Sequence, residues 1–315
     1  MKNFLIIASV TFLLSCNNNH SKEEQANMPV LLSDSAHHAS CVYLTTDEKN
    51  QPLISWCETD SVTEKKYFFF ARFDSANERF STPVSVPIEA NAALHEEGMP
   101  KIAVKSNGTM VAIYETTSPT KENQWAGFIR YEQSFDKGKT WTKPSYLTSD
   151  SVPGRDHSFA SSTRLSDGEI GVCWLDESFN HKKSGRPVYF AKTNSDNGFG
   201  PMKLIDSLAC ECCRTAINSD DKGNISIAFR DILGDTVRDM SVATSVDSGR
   251  IFSKAVSFSH DHWAVNGCPH NGPCIVTAGQ NIYTTWFTGG NEQGVYYASL
   301  DDNHQVINKI HINAK

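Results

Sequence analysis

Two short clusters hold the sulfur and imidazole groups best placed for chemistry, Cys210-x-Cys212-Cys213 and Cys268-x-His270. Close thiols beside imidazole suit a soft or borderline ion, copper or zinc, rather than a hard cation. With His95 added, Cys212, Cys213, Cys268 and His270 form a candidate metal cage. The same sulfurs suit disulfides if the chain is exported to an oxidising compartment, and both readings stand at this point. A second group fits anions: Arg155, Arg214, Arg230 and Arg238 carry forked guanidinium groups that match a carboxylate, with His157 beside them. A third group is acidic. It comprises Asp156, Asp231 and Glu115, carboxyl groups able to give or take a proton, with Tyr114 next to Glu115.

These groups can act together only if the fold brings them to one place. A repeat supplies that. Short β-like runs end in an aromatic at Trp56, Tyr114, Trp174, Phe229 and Trp286, spaced 58, 60, 55 and 57 residues apart. Each follows a turn signal such as Ser106-Asn107-Gly108 or Ser166-Asp167-Gly168, and further apolar runs flank it on both sides. Short runs broken by Gly, Asn and Asp turns are antiparallel strands. Four strands per repeat, repeated radially, make an all-β propeller. Five four-stranded repeats are visible. An orphan fourth-strand match at residues 28–32 is expected to pair with the last blade or to help build a sixth.

Ser134-Phe135-Asp136-Lys137-Gly138-Lys139-Thr140-Trp141 fits the pattern S-x-D-x-G-x-T-W, and Ser245 to Phe252 is a second copy around Asp247. Asp74 and Asp196-Asn197-Gly198-Phe199 are degenerate copies in phase with the repeat. The Asp accepts backbone N–H bonds, the Gly takes a positive φ, and the aromatic packs into the blade, so Asp136 and Asp247 are expected to be structural. On these boxes the chain resembles the sialidase (BNR-repeat) superfamily of β-propellers, over roughly residues 28–315. The resemblance implies glycan chemistry: three arginines on a sugar carboxylate, drawn from Arg155, Arg214, Arg230 and Arg238, Tyr114 and Glu115 as a nucleophile pair, and Asp156 or Asp231 as the acid/base. Sialidases have six blades, so five repeats is a departure. The Arg-Ile-Pro opening of that family is absent as well; the nearest text is Met99-Pro100-Lys101-Ile102.

In a propeller, the segment leading into strand 1 and the one leaving strand 2 open on one face, while the Asp-box turns lie on the other. All three candidate groups map to the first face. The expectation is therefore a channel mouth that binds or hydrolyses a glycan or small anionic ligand. The alternatives are a copper or zinc site on the Cys/His cluster and a non-catalytic binding surface.

The remainder sets the compartment. The chain has 315 residues, 29 Lys+Arg against 36 Asp+Glu, and a formal net charge of −7. No basic stripe is visible, which argues against nucleic acid. Residues 1–15 read as a secretory signal, and Leu13-Leu14-Ser15-Cys16 resembles a bacterial lipobox, which implies cleavage before Cys16 and its acylation. Residues 16–27 form a polar tether whose Ser21-Lys22-Glu23-Glu24 resembles an acidic surface-export tag. The expected protein is a monomeric lipoprotein on the bacterial outer membrane or cell surface, with a periplasm-facing orientation also open. Of nine cysteines, an even eight remain for the propeller once Cys16 is lipidated.

Overall fold

Asp and Asn residues fix the strand turns. Asp47 accepts the N–H groups of Lys49 and Gln51 at 2.8 and 3.0 Å, and Asp220 accepts those of Lys222 and Asn224 at 2.9 Å each. Both close the turn from strand 1 to strand 2 of a repeat, because a short acidic side chain can stand in for a backbone acceptor. The computed structural model describes residues 30–148, 151–177, 185–195, 198–234, 236–278 and 281–312. The chain divides into Met1–Ser33, of which only residues 30–33 are described, and the β unit Asp34–Lys315. Cys16 and its tether lie outside the described residues.

Five antiparallel sheets follow one another along the chain. Blade 1 is β1 (His37–Thr46), β2 (Pro52–Asp60) and β3 (Lys66–Asp74), with β4 (Arg79–Phe80) and β5 (Val84–Val86) sharing the outer position. Blade 2 has its inner position split between β6 (Ala92–Ala93) and β7 (Lys101–Val104), followed by β8 (Met110–Thr117), β9 (Gly127–Ser134) and β10 (Ser145–Tyr146). Blade 3 is β11 (His157–Arg164), β12 (Ile170–Asp176), β13 (Arg186–Lys192) and β14 (Lys203–Ala209). Blade 4 is β15 (Ala216–Ser219), β16 (Ile225–Arg230), β17 (Met240–Ser245) and β18 (Val256–Ser257). Blade 5 is β19 (Cys274–Ala278), β20 (Asn281–Thr288), β21 (Gly294–Leu300) and β22 (Val306–His311). The fold is an all-β, sialidase-like propeller. Among the described residues there are five blades, and the expected extra strand is not formed by Val30, Leu31 or Leu32, while residues 28–29 lie outside the description.

The core is a set of seams between blades. Leu53, Phe68 and Phe70 of blade 1 pack on Ile102, Val104 and Met110 of blade 2. Similar clusters join blades 2 and 3, 3 and 4, and 4 and 5. The middle strands of blades 2 to 4 are therefore buried on both faces, and β12 and β16 are buried along their whole length. The repeat aromatics Trp56, Tyr114, Trp174, Phe229 and Trp286 are all buried.

Both full Asp boxes form as expected. Asp136 accepts the Thr140 N–H at 2.8 Å and the Thr140 hydroxyl at 2.6 Å, and Asp247 accepts the N–H groups of Arg250 and Ile251 at 2.9 Å each. Each box also touches the preceding blade. Gly138 lies against Phe70 of β3, and Gly249 against Phe190 of β13. Asp74 makes a shorter version of the turn with Ala76 and Asn77; Asp196 and Asn197 lie outside the described residues.

Candidate functional site at the channel mouth

Inner strands are irregular at the mouth end. β1 shifts register between Ser40 and Tyr43, and β11 between Ser158 and Ser161, with Cys41 and Phe159 at positive φ. In blade 2 the segment carrying His95, Glu96 and Glu97 interrupts the inner position between β6 and β7. Bulges of this kind re-aim side chains near sites. The N–H groups they free are taken by carboxylates: Glu96 accepts that of Cys41 at 3.0 Å and Glu115 that of Phe159 at 2.6 Å.

Glu115 and Asp156 form an acidic pair. Burial, and then the charge of Asp156, push the Glu115 carboxyl up to about 7. Burial also raises Asp156, against the pull of Arg186, which bridges it at 2.8 Å. Lys101 is buried nearby, donates to the Met99 carbonyl at 2.7 Å, and is lowered by burial to about 8. Gly98 closes over Glu115; a Cβ at that position would collide with the carboxylate. Lys101 and Arg186 are site residues that the sequence analysis missed. Arg186 sits in a strand and nothing in its local sequence marks it.

The other expected residues fall differently. His157 is buried and its Nδ1 lies 3.0 Å from Asp176, so it is a fixed structural group and not a ligand contact. Arg230 is buried, and its guanidinium donates to the carbonyls of Asn271, Arg238 and Phe287 at 3.0, 2.7 and 2.8 Å while stacking on Trp263. It clamps blade 4 to blade 5 and does not face a sugar carboxylate. Arg214 is paired with Glu97 at 2.7 Å, although a third of its side chain remains exposed. Arg238 is buried beside Glu211, and Arg155 precedes β11 with its carbonyl bound to the Gly127 N–H. These arginines do not converge into a three-fold carboxylate clamp. Asp231 accepts the Ser241 hydroxyl and its neighbour's N–H at 2.7 Å each, and burial lifts it to about 6. That makes it a blade residue rather than a catalytic one. Tyr114 is buried with its hydroxyl on Glu132 at 2.7 Å, so it does not pair with Glu115.

The sulfur cluster is partly bonded. Cys212 and Cys268 form a disulfide, which answers half of the metal-or-disulfide alternative. Cys210 and Cys213, in a Cys-x-x-Cys spacing, remain free, with sulfurs 3.4 Å apart. The hydrogen bond shared with Cys210, helped by the nearby Arg230, brings the Cys213 thiol down to about 7, and the same contact raises Cys210. His270 lies within 4.8 Å of the Cys212 and Cys268 sulfurs, with its own φ at 47°. His95 stacks at an angle on His270, ring centres 5.9 Å apart, and lines the mouth outside the sulfur groups.

An antiparallel propeller with in-phase Asp boxes defines a class, and the family comparison agrees. The model of the BNR repeat-like domain matches residues 68–278, more than half of the chain. The protein belongs to that family and has the sialidase-like propeller fold. No curated protein matches it in sequence. Among solved structures, it resembles a protein of unknown function from Dyadobacter fermentans (13% identity, 90% of this chain and 85% of that one, TM-score 0.52). It also resembles the NanB sialidase of Streptococcus pneumoniae (10% identity, 90% and 64%, TM-score 0.60). A third is the alpha-L-arabinanase of Penicillium chrysogenum (13% identity, 82% and 77%, TM-score 0.52). The chain thus spans just under two thirds of the sialidase's length.

Proposed function

We propose that the mouth binds a glycan and that Glu115 and Asp156 are its acid pair. The carrying observation is the Glu115 carboxyl, raised to about 7 by burial and then by Asp156, which Arg186 bridges at 2.8 Å. Glycosidic hydrolysis needs two carboxyl groups: one gives a proton to the leaving oxygen, the other meets the positive charge that develops on the sugar. The likeness to a sialidase and an arabinanase supports the ligand class. The arginines favour a neutral saccharide over a sialylated one, because Arg230 is spent on carbonyls and Arg214 on Glu97. Through Cys16 the protein is expected on the outer membrane or cell surface, as a monomer; Cys16→Ser should release it to the soluble fraction.

The test is a calorimetric screen of neutral and sialylated oligosaccharides, followed by turnover assays on whichever binds. Glu115→Gln should keep binding and lose about 10²–10⁴ in turnover, the usual worth of a general acid. Absence of binding to every saccharide sinks the ligand class. Undiminished turnover in Glu115→Gln removes Glu115 from the chemistry.

A further inference from the structure

Arg238 is buried, and its Nε and Nη1 have no hydrogen-bond partner among the described residues. Its Nη2 comes only to 4.0 Å from Glu211. A buried guanidinium with open donors points to an anionic partner. The positive charge of Arg238 acts on Cys210, and that of Arg230 on Cys213. Those two thiols are buried, unbonded and 3.4 Å apart. The Cys212 sulfur, 3.9 Å from Cys210, is already joined to Cys268.

We propose that Cys210 and Cys213 bind one copper(I) ion as a bis-thiolate, whose net negative charge is held by Arg230 and Arg238. The chemistry selects this ion. Thiolates prefer soft cations, and among the described residues no carboxylate joins the sulfur group, which disfavours calcium or magnesium. Zinc takes four ligands in a closed site, whereas the Cys212–Cys268 bond leaves only two thiols of the four. Charge agrees. Two thiolates and a monovalent ion sum to one negative charge beside the two guanidinium groups; with a divalent ion the sum is zero, and Arg238 has only the Glu211 carboxylate at 4.0 Å. Distance agrees too. Metal–sulfur bonds of about 2.3 Å let two sulfurs on one ion stand up to about 4.6 Å apart, so the pair opens by about an ångström at most. As the two metal–sulfur bonds form, the two thiol protons pass to solvent, and the copper keeps its oxidation state.

The inference needs neither Glu115 nor a saccharide, so it and the glycan reading can fail separately. The purified full-length protein is titrated anaerobically with copper(I) against a chromophoric copper(I) chelator, and the loaded protein is examined by X-ray absorption. One copper per chain with a sulfur-only shell is expected. Cys210→Ser and Cys213→Ser should each weaken it by more than the about 10–100-fold that an outer-shell loss costs. Arg238→Met should fall within that range, and Cys41→Ser should change nothing. The absorption spectrum of the unmutated protein decides the matter even if a serine variant fails to fold. Loss of all copper to the chelator, a nitrogen or oxygen shell, or equal competition by zinc would overturn the proposal. So would thiol labelling that finds Cys210 and Cys213 already joined to each other.

Discussion

The Nδ1 of His157 lies 3.0 Å from Asp176 Oδ2, and the same oxygen accepts the indole N–H of Trp174 at 2.9 Å. Blade 1 repeats the device, with His37 on Glu58 at 2.8 Å and Trp56 on the same carboxylate at 2.7 Å. A strand-1 histidine and a strand-2 tryptophan are thus tied by the acid two residues beyond the tryptophan. Asp176→Ala strands two buried donors, so it should cost about 2–5 kcal/mol of stability, roughly one unsatisfied-group penalty for each. Urea unfolding measures it, and saccharide binding should survive.

Acidity gives a second expectation. Burial holds the Glu115 and Glu132 carboxyls up at about 7 and Asp231 at about 6, against ordinary values of 4.5 and 3.8. Between the ordinary and raised values the folded chain keeps protons that the unfolded chain has lost. Stability therefore falls as pH rises through this window and levels off above about 7. The urea midpoint should be higher near pH 5 than near pH 7.5 (both about), and Glu132→Gln should flatten the slope. A midpoint that climbs over the same range contradicts the burial of these acids.

Arg230 tests the reassignment of the mouth arginines. Removing it by Arg230→Met leaves three carbonyls of blades 4 and 5 without their donor. The loss should be at least about 3 kcal/mol, since each bond to a charged donor is worth about 1.5–3 kcal/mol. Selective loss of a sialylated ligand at unchanged thermal stability would show that the guanidinium faces the sugar after all.

The Asp boxes should respond at their glycines as well as their acids. Gly138 has φ near 91°, and a Cβ there would stand 2.5 Å from the Phe70 ring. Gly138→Ala therefore combines a disfavoured backbone with overpacking at a blade seam and should cost about 2 kcal/mol or more. Differential scanning calorimetry of this variant beside Gly249→Ala checks it, because Gly249 meets Phe190 in the same way.

The repeat was legible because strands and turns are local signals. The aromatic period located all five blades, and the text around Asp136 and Asp247 located turns that the structure closes with those same oxygens. The duties of the mouth residues were not legible. Whether Arg230 meets a ligand or a carbonyl depends on Phe287, 57 residues away in the next blade. His157 looked available until Asp176 and the Phe128 ring were seen to hold it. The three sulfurs at 210, 212 and 213 allow several partners for Cys268, and only the path of the 268 segment past blade 4 selects Cys212. The histidine–acid–tryptophan device could have been found by laying repeats 1 and 3 side by side.

Cys212 and Cys268 stand 56 residues apart, one repeat length, so their bond joins matching points of consecutive repeats. All of blade 4 lies inside the closed loop, and closing a loop of that length removes about 4 kcal/mol of entropy from the unfolded chain. The bond also makes blade 4 tolerant of nicking. A protease that cuts any turn between these cysteines leaves two segments that travel as a single covalent molecule, with both neighbouring blades still attached. Such a cut would pass unnoticed in a non-reducing gel and appear as two bands only after reduction.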